Sequence, residues 1–280
     1  MGKIVWIASY PKSGNTWVRI FLFNLFLESP EPLPLSDVSR MSTSDTILRW
    51  YKEVDDRDPA TWTTEDIADM RPKVQRHLAS LTDEPMFTKT HAALVLMAGR
   101  QPFDMEVTAA AIYLVRNPLD VAVSYARHGG VPFDDIIQVM STPNHMLPRT
   151  DALVEFVQGG WTQHVMSWTR EPSPAIHVVR YEDMVADPMS AFGGICAFLK
   201  LEVPPESLEQ AISHASIDTL RRLESEQGFN ERSANQERFF GEGGVDSWRG
   251  VLNDNQVRQI VSRHGRQMAR FGYVPERFQA

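Results

Sequence analysis

The tightest constraint on what this chain can fold into lies in residues 4–27. Ile4-Val5-Trp6-Ile7-Ala8 is an unbroken apolar run with β-branched and aromatic members, cut off by Ser9-Tyr10-Pro11-Lys12. A turn containing Pro11 and Gly14 follows, and from about Thr16 to Leu27 the residues are apolar on nearly every face. Strand, turn and all-round apolar helix in direct succession specify a buried strand feeding a helix that packs on a sheet. Neither run suits a membrane or export role. The first is too short for the hydrophobic core of a signal peptide, and the second contains Arg19 and Asn24 and falls short of the ~20 residues a span needs. Trp6 at the sixth position also breaks the myristoylation pattern after Met1-Gly2.

Strand and helix signals then alternate. After Pro30, Pro32 and Pro34, residues 36–85 are polar and rich in Asp and Thr, with helical patches at 47–54 and 64–81, and read as an insertion over the sheet. Met86 to His91 reads as a second short strand with a polar tip, and Val107 to Val115 as a central buried strand. Asn117 as N-cap, Pro118 at the first helical position and Asp120 in the first turn open a helix that ends before Gly129-Gly130. Residues 131–148, with Pro132, Pro143 and Pro148, read as a loop, followed by a helix from about Asp151 to Arg170 and a strand at 176–180. Helices follow at 189–200, 205–213 and 217–225, and the Glu-rich stretch from Arg221 to Glu226 reads as a solvated face. From Gly228 to Gly250, five of the sixteen glycines fall in a segment without periodicity, long enough to carry a function. A last amphipathic helix spans 253–270. The alternation predicts an α/β fold with a mostly parallel sheet in one domain over 1–280.

Composition narrows the partners. With 28 Lys and Arg against 36 Asp and Glu, the net charge of −8 argues against general affinity for nucleic acid or anionic membrane, which attract clustered cations. Any anion must be bound at a local site. A single cysteine, Cys196, excludes intrachain disulfides and Cys-based metal clusters and fits a reducing, cytoplasmic setting. No histidine pair has helical metal-ligand spacing, so no metal is expected.

Ligands of open α/β sheets collect at the carboxyl ends of the strands. Those ends are Tyr10 to Thr16, Lys89-Thr90-His91, Arg116-Asn117-Pro118 and Arg180-Tyr181-Glu182. The first turn offers backbone N–H groups at a helix N-terminus, with Lys12 to add a full charge, which is a cradle for a phosphate. It is not a Walker A loop: Lys12 precedes Gly14, and no glycine lies upstream in 7–9. The central strand ends in Arg116 where a metal-binding Asp would stand in a nucleotide hydrolase. A guanidinium there points to a second anion position, hence to a nucleotide with two phosphate sites and no need of a divalent metal.

These segments resemble the sulfotransferases that use 3′-phosphoadenosine 5′-phosphosulfate (PAPS), of the cytosolic and bacterial soluble type. Tyr10-Pro11-Lys12-Ser13-Gly14-Asn15-Thr16-Trp17 is similar to their 5′-phosphosulfate loop, and Arg116 to Ser124 to their 3′-phosphate motif. Lys89-Thr90-His91 is similar to the segment with the catalytic histidine, and Tyr181-Glu182-Asp183-Met184 to a fourth motif. With Trp248-Arg249, the likeness runs from residue 4 to about 250. It implies a P-loop-like parallel sheet flanked by helices, with the Gly-rich 228–250 loop over the nucleotide. It further implies sulfuryl transfer from PAPS to a hydroxyl or, less often, an amine, by in-line displacement. Lys12 would stabilise the leaving phosphate, His91 would be the general base and Lys89 would assist. Pro11, Ser13, Gly14, Asn15 and Thr16 would hold the 5′ side, Arg116 and Ser124 the 3′-phosphate, and Trp17 and Tyr181 the adenine. Ser216, Phe240 and Gly243 complete the donor contacts that the resemblance implies.

One stretch departs from the family pattern. Aligned on Trp248, Gly241 stands where an arginine for the 3′-phosphate is expected, and Asp246 replaces a glycine. Arg238, three residues earlier, is the candidate replacement. Plainer roles exist for several of these residues: Arg116 bridging Asp120, Ser124 packing a helix, Ser216 as an N-cap, and Trp17 and Tyr181 as core aromatics. Two other functions compete, a P-loop kinase or nucleotide hydrolase and a non-catalytic nucleotide-binding protein. The absent Walker features stand against the first, and Lys12 together with His91 against the second. The acceptor should be a small hydroxyl compound, apolar or aromatic, met by insertions at 36–85 and 129–150. Trp50, Tyr51, Trp62, Phe133, Met140 and Met146 fit either such a pocket or ordinary packing.

Overall fold

A computed structural model describes residues 3–38, 42–241 and 244–278. In chain order the elements are β1 (Ile4–Ser9), α1 (Asn15–Leu27), β2 (Thr43–Ser44), α2 (Leu48–Lys52), α3 (Thr64–Ser80), β3 (Met86–Thr90), β4 (Thr108–Val115), α4 (Pro118–Gly129) and α5 (Phe133–Ser141). There follow β5 (Met146–Leu147), β6 (Phe156–Val157), α6 (Trp161–Thr169), β7 (Ile176–Arg180), α7 (Tyr181–Ala186), α8 (Pro188–Phe198), α9 (Pro205–His214), α10 (Ile217–Gln227) and α11 (Asp254–Arg270). Two compact units emerge: Met1–Tyr10, Ser42–Tyr113 and Thr142–Val178 form the first, and Pro11–Met41, Leu114–Ser141 and Val179–Ala280 the second.

The first unit is built on the sheet. Its strand order is β2-β3-β1-β4-β7, with the last residues of β4 and β7 continuing into the second unit. β1 and β3 run parallel with Ala8 opposite Thr90, so both strands end at one edge. Every residue of β1 is buried, which is why its sequence shows no alternation. The polar 36–85 stretch holds α2 and α3. A capping box of Thr63 and Asp66 opens α3, and its Ile67, Met70, Val74 and Leu78 recur at helical spacing against Tyr51 and Trp62. Tyr51 and Trp62 are therefore core residues.

The second unit is helical. Asn117 accepts the Leu119 N–H and Pro118 occupies the first turn, as the sequence predicts, while α4 runs one residue further than expected, through Gly129, and Gly130 closes it in the left-handed region. Two expectations fail. Residues 131–148 are not all loop: Ile136, Ile137 and Met140 form the buried stripe of α5, with Pro132 and Pro143 lying outside the helix and bracketing it. The helix expected over 151–170 is confined to 161–169, because Gly159 takes φ 70° and Gly160 becomes the N-cap, while 156–157 pairs as β6. Among the described residues no helix is long and apolar enough to cross a membrane.

Candidate active site

The second unit carries the phosphate loop. Gly14 caps α1 with φ 99°, and a Cβ there would meet Tyr181 Cδ2 at 2.9 Å and Met184 Cε at 3.1 Å. Glycine is thus required twice, for the backbone and for the approach of the fourth motif. Lys12 also sits in the left-handed region, at φ 67°, a strained state for a residue with a side chain. The first-turn amides of α1 face out of its N-terminus toward this loop. Ser13 is fully buried, and its Oγ has no hydrogen-bond partner among the described residues. A buried hydroxyl without a partner inside a helix-terminal cradle is suited to an incoming anion, and the loop fits a phosphate on this ground.

Arg116, only 3% exposed, directly follows β4. It donates from Nη1 to the Lys12 carbonyl at 2.9 Å and from Nη2 to the Gly244 carbonyl at 3.3 Å, with its guanidinium 4.2 Å above the Tyr181 ring. Trp17 stands edge-on to Tyr181 at 5.7 Å and to Phe192 at 5.5 Å. Glu182 accepts the Asn117 amide at 2.9 Å and the Tyr273 hydroxyl at 2.6 Å, and burial raises the pKa of its carboxyl. The first three motifs of this unit are therefore joined through their backbones as well as their side chains.

The Gly-rich loop is tied down by acids that sequence reasoning passed over. Asp120, read as a partner of the helix dipole, accepts the Asp246 amide at 3.0 Å, the Ser247 hydroxyl at 2.9 Å and the Trp248 amide at 3.0 Å. Burial pushes its pKa up, while Arg116 and these three donors act against that. Glu224 corrects the reading of 221–226 as a solvated face. It is 6% exposed and its carboxylate takes the amides of Phe239 and Phe240. Its burial follows from the helix face it shares with Leu220 and Leu223, but that pattern does not say which groups it binds. Arg221 donates to the carbonyls of Phe240 and Gly241 at 3.1 and 2.9 Å. Nearer the phosphate loop, Glu231 accepts from the Thr16 hydroxyl and from Arg19, each at 2.8 Å, and Lys12 Nζ lies 4.4 Å from the centre of the Phe239 ring.

A cleft of about 630 Å³ in this unit is lined by Ser124, Arg127, Arg221, Arg238, Phe240 and Gly241, among others. Arg238 is exposed there, and Ser124 half-buried on α4. Phe240 is buried and stacked on Phe229. Ser216 accepts the Thr219 amide and donates to the Thr219 hydroxyl, so it caps α10. Pro11, Ser13, Asn15 and Thr16 are buried in the turn and first helical residues. Gly243 lies outside the described residues.

Lys89 and His91 belong to the first unit. Lys89 is half-buried on β3, opposite Ile7, and His91 follows the strand end, also half-buried. His91 Nδ1 is 2.8 Å from the Ser9 carbonyl and 3.3 Å from the Ser9 hydroxyl. A carbonyl only accepts, so Nδ1 carries the proton and the basic lone pair is on Nε2. This is the tautomer a general base needs.

A model of the sulfotransferase domain matches residues 3–272. The chain is 24% identical over 278 residues to a 3-beta-hydroxysteroid sulfotransferase of Cavia porcellus, covering 97% of this chain and 85% of that protein. The crystal structure of retinol dehydratase in complex with androsterone and inactive cofactor PAP aligns at a TM-score of 0.63 and 19% identity, over 95% of this chain and 80% of that one. Mouse sulfotransferase SULT7A1 complexed with PAP aligns at 0.59 and 18%, over 95% and 85%. At such identities the structural likeness speaks for the fold, an α/β architecture with a parallel central sheet flanked by helices. The domain match extends through both units and all the strand-end motifs, and the chain belongs to the sulfotransferase family.

Proposed function

We propose that this sulfotransferase takes PAPS as donor and passes the sulfuryl group to the hydroxyl of a small apolar or aromatic acceptor. The donor supplies sulfur activated on a phosphate oxygen. The acceptor oxygen bonds to sulfur, the bond from sulfur to the 5′-phosphate oxygen breaks, and a sulfate ester and adenosine 3′,5′-bisphosphate leave. His91 takes the acceptor proton on Nε2. Lys12, the amides at the start of α1 and the Thr16 hydroxyl meet the charge that collects on the departing phosphate oxygen, where fixed donors are worth most. Lys89 assists at the transferring group. Pro11, Ser13, Gly14 and Asn15 shape the 5′ cradle, and Trp17 and Tyr181 take the adenine, with Ser216 and Phe240 as further donor contacts. Arg116 and Ser124 hold the 3′-phosphate. Arg238 supplies the charge that Gly241 lacks, a reading supported by the cleft Arg238 shares with Ser124.

The observation that carries this reading is the buried, unpartnered Ser13 hydroxyl in a glycine-capped loop whose lysine carbonyl is clasped by Arg116. An apolar acceptor is supported by the steroid named for the Cavia porcellus relative and by the androsterone and retinol bound to retinol dehydratase. A cytoplasmic setting accords with the single cysteine, Cys196, which leaves no intrachain disulfide to form. The test is incubation with PAPS and a panel of hydroxyl compounds, read by the mass gain of one sulfuryl group. Lys12→Ala and His91→Ala should each lower turnover by about 10²–10⁴-fold. Turnover indifferent to both, or tight binding of ATP with magnesium in place of the bisphosphate, would overturn it.

A further inference from the structure

His91 occupies a short irregular stretch, and the means by which the first unit holds that stretch point to residues outside all four motifs. On one side Thr90 is buried at the end of β3, and its hydroxyl accepts the Ala92 amide at 3.1 Å. On the other side, α6 holds Ala92 and Leu94, and β6 holds Ala93 between them. Trp168 Nε1 donates to the Ala92 carbonyl at 3.1 Å, and Ser167 Oγ accepts the Leu94 amide at 3.0 Å. Between them the Ala93 amide reaches the Val157 carbonyl at 3.0 Å. Ser167 is itself oriented, because its hydroxyl proton goes to the His164 carbonyl at 2.8 Å, leaving its lone pairs for Leu94. Trp168 is 4% exposed, stacked on Tyr113 at 5.8 Å and edge-on to Phe103 at 5.2 Å. Tyr113 in turn bonds to His164 Nδ1 at 2.9 Å. A rigid aromatic block thus fixes the backbone immediately after His91, while the Ser9 carbonyl fixes its ring.

We propose that Ser167 and Trp168 are positioning residues for His91, holding the backbone on which the imidazole is carried so that Nε2 keeps its bearing toward the acceptor hydroxyl. The proposal rests on His91 as the general base. Misplacing a base by a fraction of an ångström costs rate while leaving nucleotide contacts intact, since those contacts are made by other residues.

The experiment uses the full chain and measures kcat, acceptor KM, affinity for adenosine 3′,5′-bisphosphate and thermal midpoint for four variants. Ser167→Ala and Trp168→Phe should each lower kcat by about tenfold, with bisphosphate affinity unchanged within about twofold. Ser167→Thr, which keeps the hydroxyl, should recover most of the rate. The proposal is overturned by kcat within about twofold of the parent in both variants, by failure of Ser167→Thr to restore it, or by a parallel loss of bisphosphate binding. His91→Ala separates the two levels. If it retains activity, the base and the proposal fall together; if it is inactive while Ser167→Ala is unimpaired, only the positioning role falls. Should Trp168→Phe fail to fold, the Ser167 pair decides alone.

Discussion

The phosphate loop and the His91 segment are held by opposite means. Residues 11–17 are shaped by backbone conformation: positive φ at Lys12 and Gly14, a proline, and the N-terminus of α1. His91 is shaped by side chains and carbonyls from residues far along the chain, with Ser9 on one side and Ser167 and Trp168 beyond it on the other. A backbone-built site needs particular residue types at fixed spacing, so it leaves a signature in one short stretch of sequence. The remote side chains that hold a site leave no such signature, even where, as at Lys89-Thr90-His91, the residue they hold is itself readable.

The sharpest way to break this contrast is at Gly14. A Cβ there must enter a left-handed conformation and displace Tyr181, whose ring atom lies 2.9 Å away. The strain alone is about 1–3 kcal/mol, and the displaced ring carries Arg116 above it. Gly14→Ala should therefore lose about 100-fold in bisphosphate affinity by calorimetry, about 2.7 kcal/mol and so at the upper end of its strain cost. Binding equal to the parent protein would show that the loop tolerates side-chain replacement after all. Arg116→Lys probes the same loop one step out. A lysine ammonium cannot span the Lys12 and Gly244 carbonyls as the planar fork does, and losing charge-assisted bonds of about 1.5–3 kcal/mol predicts roughly 10–100-fold weaker bisphosphate binding.

The same contrast explains what the sequence made legible. Asn117, Pro118 and Gly130 around α4 were readable because each acts on its own backbone neighbours. So were β1 and the start of α1, where apolar runs and a turn meet. The prolines at 132 and 143 misled because they punctuate the ends of α5, where a proline costs nothing, as easily as they would break it. Among the proposed site residues, Lys12, Arg116 and Tyr181 stand in motifs the sequence makes legible. Asp120 and Glu224 were not legible, because their partners lie 126 and 15 residues away and each binds backbone amides, which any sequence supplies. The loop that departs most from the family pattern is therefore fixed by acids whose function no local pattern announces.

Glu231 sharpens the comparison from the other direction, since it is a remote side chain acting on the backbone-built loop. Its carboxylate already accepts from Thr16 and Arg19, the first of which is proposed to meet the 5′-phosphate. A phosphate arriving there meets a negative charge and a hydroxyl already committed. Glu231→Gln removes the charge and keeps the shape, so bisphosphate affinity should rise about two- to fivefold at low salt, an effect of about 0.5–1 kcal/mol that shrinks as salt is added. Unchanged or weaker binding would assign Glu231 to stabilising Arg19 alone.

A further expected effect concerns the aromatic block behind His91 and is read through pH. Burial holds His164 near a pKa of about 3, the backbone of His91 acting against that, whereas in the unfolded chain it titrates near the ordinary imidazole value of about 6.5. Between those values the unfolded state binds more protons than the folded one, so stability rises with pH across the window. The contribution is therefore fully present above about 6.5 and is lost as pH falls toward 3, at no more than about 1.4 kcal/mol per pH unit. Asp120 and Glu182, raised by burial in the second unit, oppose this on acidification, which is why the total slope is uninformative. The difference between the parent protein and His164→Gln isolates the group. From pH 6.5 to 4.5, urea midpoints of the parent should fall more steeply than those of the variant, and amide exchange at Ala92 to Leu94 should accelerate before exchange in the first turn of α1. Parallel slopes would mean that the imidazole takes up its proton in place, and that the segment behind His91 is less tightly closed than its contacts imply.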